Sequence, residues 1–257
     1  MAENQYGFPT EVLSLPSQGL LYPEDSPLRS GTIDVKYMTA KEEDILTSTN
    51  LIQKGLVIDK LLESVVVQQG INVDDLLIGD KNALMVGTRI LGYGKEYRTR
   101  IMNPDTNEYE ETTIDLTQFN HKKVDTKLYK NGNLFSYTLP NSKRVVEFKL
   151  MTGLDEKNIK QQLKDYEKAA ELTGVSNELT TRLKYQIQSV DGNKEQSFID
   201  NFVDNEFLAL DTKAYRKYYG EVSPDIDMIF DFTTKDGKTI KVDVPLGIDF
   251  FWPAGDK

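Results

Sequence analysis

Ile226-Asp227-Met228-Ile229-Phe230-Asp231-Phe232-Thr233-Thr234-Lys235-Asp236-Gly237-Lys238-Thr239-Ile240-Lys241-Val242-Asp243-Val244 follows a long stretch of helical spacing, and that succession decides the fold class. Ile226, Met228, Phe230 and Phe232 alternate with Asp227 and Asp231, and Ile240, Val242 and Val244 alternate with Lys241 and Asp243. Both runs have the period of half-buried strands. A two-residue Asp236-Gly237 loop would set Phe232 opposite Lys241 and mix the two faces. A three-residue loop, Lys235-Asp236-Gly237 with Gly237 left-handed, aligns Phe232 with Ile240 and Phe230 with Val242. It also sets Asp231 beside Lys241 on the outer face.

Upstream, residues 155–220 carry apolar side chains at helical spacing. Ile159, Leu163, Tyr166 and Ala170 form one stripe, stopped by Gly174. Leu179, Leu183, Ile187 and Val190 form the next, opened by Ser176 as N-cap. Shorter stripes are Phe198, Ile199, Phe202 and Val203, then Ala214, Tyr215, Tyr218 and Tyr219.

Nearer the start, a strand over Phe8–Leu15 runs into a proline-glycine corner at Pro16-Ser17-Gln18-Gly19-Leu20-Leu21-Tyr22-Pro23, and a second strand covers Thr32–Tyr37. Thr39-Ala40-Lys41-Glu42 spells a capping box, so a helix begins near residue 40. Helices follow over Leu56–Gln69, with Leu61, Leu62, Val65 and Val66 as the buried stripe, and from about Lys81 to Leu91. Two hairpins come next: Tyr97–Ile101 with Thr112–Leu116, and Leu134–Leu139 with Arg144–Leu150. The chain therefore reads as α+β, with β-hairpins at both ends and a helical segment between them. The regions expected are 1–150, the helical 151–222, and 223–257 packed on the first.

Composition narrows the chemistry. A 257-residue chain that is 39% hydrophobic and 28% charged can bury a core and is not of disordered type. No apolar run nears the roughly 18 residues of a membrane span. Met1-Ala2-Glu3-Asn4-Gln5 lacks the apolar region of a signal peptide. Together with the absence of cysteine this makes cytoplasm the expectation. A net charge of −10 argues against nucleic acid as a partner. Structural zinc needs four Cys or His ligands, and the chain has His121 alone. His121 reads as a surface residue. Gly87-Thr88-Arg89-Ile90-Leu91-Gly92-Tyr93-Gly94-Lys95 has the glycines of a phosphate loop, but they end a helix instead of opening one. Asp227 and Asp231 stand roughly 13 Å apart along a strand, too far for one cation. No catalytic residue, cofactor or small-molecule substrate is expected.

The last motif is Pro245-Leu246-Gly247-Ile248-Asp249-Phe250-Phe251-Trp252-Pro253, which holds the only tryptophan. It reads either as a tail that plugs the protein's own core or as an aromatic anchor for a partner protein. The partner-binding candidates are Phe250, Phe251, Trp252 and Pro253, joined by Leu20, Leu21 and Tyr22 of the N-terminal corner.

Leu15-Pro16-Ser17-x-Gly19-x-x-Tyr22-Pro23, Met38-Thr39-Ala40-x-Glu42-Glu43-x-Ile45-Leu46, Arg89-Ile90-x-x-Tyr93-Gly94-x-x-Tyr97 and Asp249-Phe250-Phe251-Trp252-Pro253 occur in that order. The ordered set resembles baseplate proteins of T4-like contractile-tailed phages over nearly the whole chain. The resemblance implies a baseplate hub subunit or a hub assembly factor, made late in infection. Its partners would be other hub proteins, met in the host cytoplasm or in the tail baseplate itself. It also implies Cys-x-x-Cys pairs in two hairpins of many relatives, a zinc knuckle. Here those places read Asn103-Pro104-Asp105-Thr106 and Thr233-Thr234-Lys235-Asp236. Turn chemistry at Pro104-Asp105 and Asp236-Gly237 is expected to close both hairpins without zinc.

Overall fold

The computed structural model describes residues 7–173 and 176–251. β1 (Thr10–Ser14) and β2 (Thr32–Lys36) form an antiparallel ribbon in which Leu13 faces Ile33. Three short helices follow: α1 (Ala40–Thr47), α2 (Thr49–Lys54) and α3 (Val57–Val65). The capping box forms, with the Glu42 carboxylate accepting the Thr39 amide at 2.9 Å and the Thr39 hydroxyl at 2.7 Å. α3 buries Leu61, Leu62 and Val65. It ends earlier than its apolar stripe suggests, because Val66 turns into a bridge with Val35 of β2.

α4 (Ile78–Tyr93) organises this half of the molecule. Its glycines permit close packing. A Cβ at Gly87 would stand 2.3 Å from Leu13 Cδ1, and one at Gly92 would stand 2.5 Å from Met38 Sδ. The glycine cluster thus lets the helix lie directly against the β1–β2 ribbon and the segment after it.

The helical region departs from its periodicity. Within α5 (Gly153–Thr173), Ile159 is fully buried while Tyr166 is 41% exposed. Gly174 and the side chain of Ala170 lie outside what is described. α6 (Glu178–Gln186) stops where helical spacing would carry it on to Val190. Ile187–Val190 is instead a strand, β7, on the edge of the hairpin formed by β5 (Phe135–Thr138) and β6 (Val145–Phe148). Two side chains three residues apart should fall on opposite faces of a strand. Here the ladder runs Val190↔Val146, Ser189↔Glu147, Ile187↔Phe148, so Gln188 is an extra residue and Ile187 returns to the buried face with Val190. The free edge of β6 overrides the helical period. α7 (Gln196–Asn201), a single wide turn over Phe202–Glu206, and α8 (Ala209–Val222) complete the region. Tyr215 and Tyr219 of α8 pack against Phe148, with ring centroids 5.2 and 5.8 Å away.

Two further antiparallel ribbons remain. β3 (Glu96–Met102) pairs with β4 (Tyr109–Asp115), Tyr97 facing Ile114. β8 (Ile229–Thr233) pairs with β9 (Thr239–Asp243) in the register argued above: Phe232↔Ile240, Phe230↔Val242 and Asp231↔Lys241. Gly237 sits at φ 81, and Thr234 and Lys238 close a three-residue loop. Hairpins near both ends with helices between them make the molecule α+β.

Candidate functional site

The sequence motifs that stand out do their work inside the core. Ser17 and Tyr22 of the N-terminal corner converge on Asp80, in the first turn of α4. The Asp80 carboxylate accepts the Ser17 amide at 2.9 Å, the Ser17 hydroxyl at 2.6 Å and the Tyr22 hydroxyl at 2.6 Å. Tyr22 Oη in turn accepts the Leu77 amide at 2.9 Å, just before the helix begins. Asp80 and Ser17 are fully buried. Burial pushes the Asp80 carboxyl above its ordinary value against the pull of these donors, and burial beside Asp80 pushes the Tyr22 hydroxyl up. Such a knot fixes the corner to the helix, because each donor left unsatisfied in the interior would be costly.

The opposite end of α4 holds the C-terminal segment. Arg89 is almost wholly buried and donates through Nε to the Phe250 carbonyl at 3.2 Å and through one terminal nitrogen to the Gly94 carbonyl at 3.2 Å. Its guanidinium lies 5.0 Å from the Tyr93 ring centre and 5.9 Å from that of Tyr97, and Phe250 lies 5.1 Å from Tyr97. Burial lowers the Arg89 pKa, so its charge rests on carbonyls and aromatic faces.

The expected partner-binding residues fall as follows. Leu21, Tyr22, Phe250 and Phe251 are all buried, and Leu20 is half-buried against the core. In the single chain the four buried side chains lie among the apolar residues of α4 and the ribbons. Trp252 and Pro253 lie outside the described residues.

A third polar cluster joins the tips of the two ribbons where the resemblance implies cysteine pairs in relatives. Asn103, 1% exposed, donates from Nδ2 to Glu110 Oε1 at 2.8 Å and to Asp236 Oδ2 at 3.0 Å. Its Oδ1 accepts the Asp105 amide at 2.9 Å, forming the turn before Asn107, whose φ is 56. Glu110 Oε2 accepts the Lys235 amide at 2.8 Å, and Lys238 reaches Asp105 at 2.7 Å. Turn chemistry closes each hairpin, as expected, and this clasp then ties one hairpin to the other. Asn103, Thr106, Thr233 and Asp236 supply no thiolate or imidazole, so the donor set does not suit zinc. Among the described residues no group of three or more His, Cys, Asp or Glu side chains is placed to hold a metal ion. Sequence reasoning missed Asp80, and it gave Arg89 and Asn103 as members of motifs without a role. Asn103, ahead of Pro104-Asp105, also carried a local signal, that of an Asx turn.

An open cleft of about 760 Å³ lies at the junction of α4, α8 and the β8–β9 ribbon. Its apolar lining includes Leu77, Met151, Met228 and Leu246, and Ile229 on its border is 52% exposed. His121, an exposed residue, bridges to Ile226 beside it. No helix among the described residues is long and apolar enough to cross a membrane.

The family model described as T4 bacteriophage base plate protein matches residues 21–252, and the chain belongs to that family. No curated protein and no solved structure matches the chain. Family membership places it in a phage virion or assembly context, among other baseplate proteins.

Proposed function

We propose that this chain is an assembly factor for the central hub of a contractile-tailed phage baseplate, acting by protein–protein binding and performing no covalent chemistry. The observation that carries this reading is the family match over residues 21–252. It is supported by the use of the motif residues: Ser17, Tyr22, Glu42, Arg89 and Phe250 are spent on internal ties, so recognition falls to the surrounding surface. The partners in this reading are other hub proteins, met in the host cytoplasm during tail assembly. The net charge of −10 favours protein over nucleic acid.

Mass spectrometry of purified virions, paired with co-purification from infected cells, tests it. A transient factor binds hub proteins in the lysate and is absent from the finished particle. Its peptides at hub stoichiometry in the virion would make it a permanent hub subunit instead.

A further inference from the structure

The cleft between α4, α8 and the β8–β9 ribbon has a floor and a rim of different chemistry. Leu77, Met151, Met228 and Leu246 supply an apolar floor, and Ile229 stands half out of it at 52% exposure. Six charged residues line the cleft, and three of them are committed. Arg182 grips Glu156 through two contacts at 2.6 and 2.9 Å, and the Lys122 ammonium caps the carbonyls of Gly220 and Ser223 at the end of α8. The remaining three are carboxylates: Asp225, Asp227 and Asp243. None of these takes part in an ion pair with the described residues, although exposed acids elsewhere do, as Asp115 does with Lys95 and Asp105 with Lys238. The Asp225 carboxylate accepts only the Asn82 side-chain amide and its neighbour's backbone N–H, and that of Asp227 the Ile229 amide. With Lys122 and Arg182 set against Glu156, Asp225, Asp227 and Asp243, the lining keeps an excess of two negative charges beside its apolar floor.

We infer that this cleft is the docking site for a segment of another baseplate protein in which apolar side chains are flanked by lysine or arginine. The apolar residues would take the place of water on Leu246 and Ile229, and the basic flanks would face Asp227 and Asp243. The size suits such a guest, since about 760 Å³ holds several side chains. A second copy of this chain is a poor guest, because a body of net charge −10 meets an acidic rim with repulsion. The inference rests on the binding role proposed above and adds the place and the chemistry of the partner.

The test uses the full chain with a photo-activatable benzophenone amino acid at Ile229, co-expressed with the baseplate proteins of the same phage. Cross-linked peptides are mapped by mass spectrometry. The expected result is a cross-link to a baseplate protein, within a segment of apolar residues flanked by Lys or Arg. The double substitution Asp227→Lys and Asp243→Lys is expected to lower its yield about tenfold or more, through like-charge contact. Both positions are exposed, so circular dichroism should show an unchanged fold. Co-purification with baseplate proteins but no cross-link at Ile229 would overturn the cleft while leaving the binding role standing. So would a cross-link indifferent to charge reversal, one within an acidic segment, or one to a second copy. Absence of any bound baseplate protein would overturn both.

Discussion

The region around α4 and the pair of ribbons β3–β4 and β8–β9 are held by opposite strategies. Around α4 the ties centre on three buried charged side chains: Asp80 with three donors, Glu42 with Thr39, Lys36 and Ser64, and Arg89 on two carbonyls. In the ribbons most polar contacts lie in solvent, and Asn103, Glu110 and Thr234 are the buried exceptions. The difference is one of energy per contact. A donor stranded in the interior costs its whole desolvation penalty, whereas an exposed pair exchanges one partner for water. The α4 region should therefore be brittle to single substitutions and the ribbons tolerant, except at their clasp.

Asp80→Ala should break the comparison open most widely. It strands the Ser17 amide, the Ser17 hydroxyl and the Tyr22 hydroxyl together, and the expected loss is about 3–5 kcal/mol in denaturant unfolding. A loss below ~1 kcal/mol would mean that water replaces the carboxylate and that the knot is not the brace described.

Glu42 sharpens the same contrast through pH. Burial alone would raise its carboxyl, but Lys36, Ser64 and the Thr39 hydroxyl and amide outweigh that and hold it at about 2, against an ordinary 4.5. A folded value below the unfolded one gives stability that is present above about 4.5 and lost as pH falls toward 2. Asp80 has the opposite sign: its raised carboxyl contributes stability at low pH that fades as pH rises through the folded value. Glu42→Gln should cost about 2–3 kcal/mol at pH 7 and flatten the acid limb of the stability curve between those two pH values. An unchanged acid limb would assign that slope to other groups, Asp211 first, which is held at about 2 by Asn141 and Ser142 although burial opposes it.

How much of this was legible follows the same division. The C-terminal ribbon's register, its three-residue loop and the Thr39 capping box could be read because each is decided within a dozen residues by alternation and turn stereochemistry. β7 could not be read. Ile187 and Val190 fit a helical stripe equally well, and only the free edge of β6, some forty residues earlier in the chain, chose the strand. The buried knots were illegible for the same reason: Asp80 lies 63 residues from Ser17, and Arg89 lies 161 residues from Phe250. The motifs were visible as motifs, but their role in the core depended on contacts that spacing does not encode. The aromatic tail is a case in point, since aromatic composition at Phe250 and Phe251 suits a core and an interface both, with the core favoured because most large aromatics are buried.

Asn103→Ala tests the one place where the ribbons resemble the α4 region. It removes the amide that bridges Glu110 and Asp236 and leaves two carboxylates facing each other without a shared donor. The expected loss is about 1–2 kcal/mol. Hydrogen exchange should accelerate at residues 103–107 and 235–238, with no change in the amides of α4. A chelator should leave the melting temperature of the unsubstituted protein unmoved, since the clasp is made of amide and carboxylate groups. Exchange that rises equally in α4 would show that clasp and helix unfold as one unit and would erase the distinction drawn between them.

Lys241→Ala should show the smallest effect. Lys241 Nζ stands 3.9 Å from Asp231 Oδ1 on the outer face of β8–β9, and the two side chains are 79% and 65% exposed. The pair is placed as the cross-strand register requires, yet a contact of that length in water is screened and gives up side-chain freedom to form. Its loss should cost no more than about 0.5 kcal/mol and should vanish in high salt. A cost above ~1 kcal/mol would mean that the exposed face is coupled to the packing of Phe230 and Phe232 beneath it. The ribbon would then share the brittleness of α4, and exposure would no longer explain the contrast.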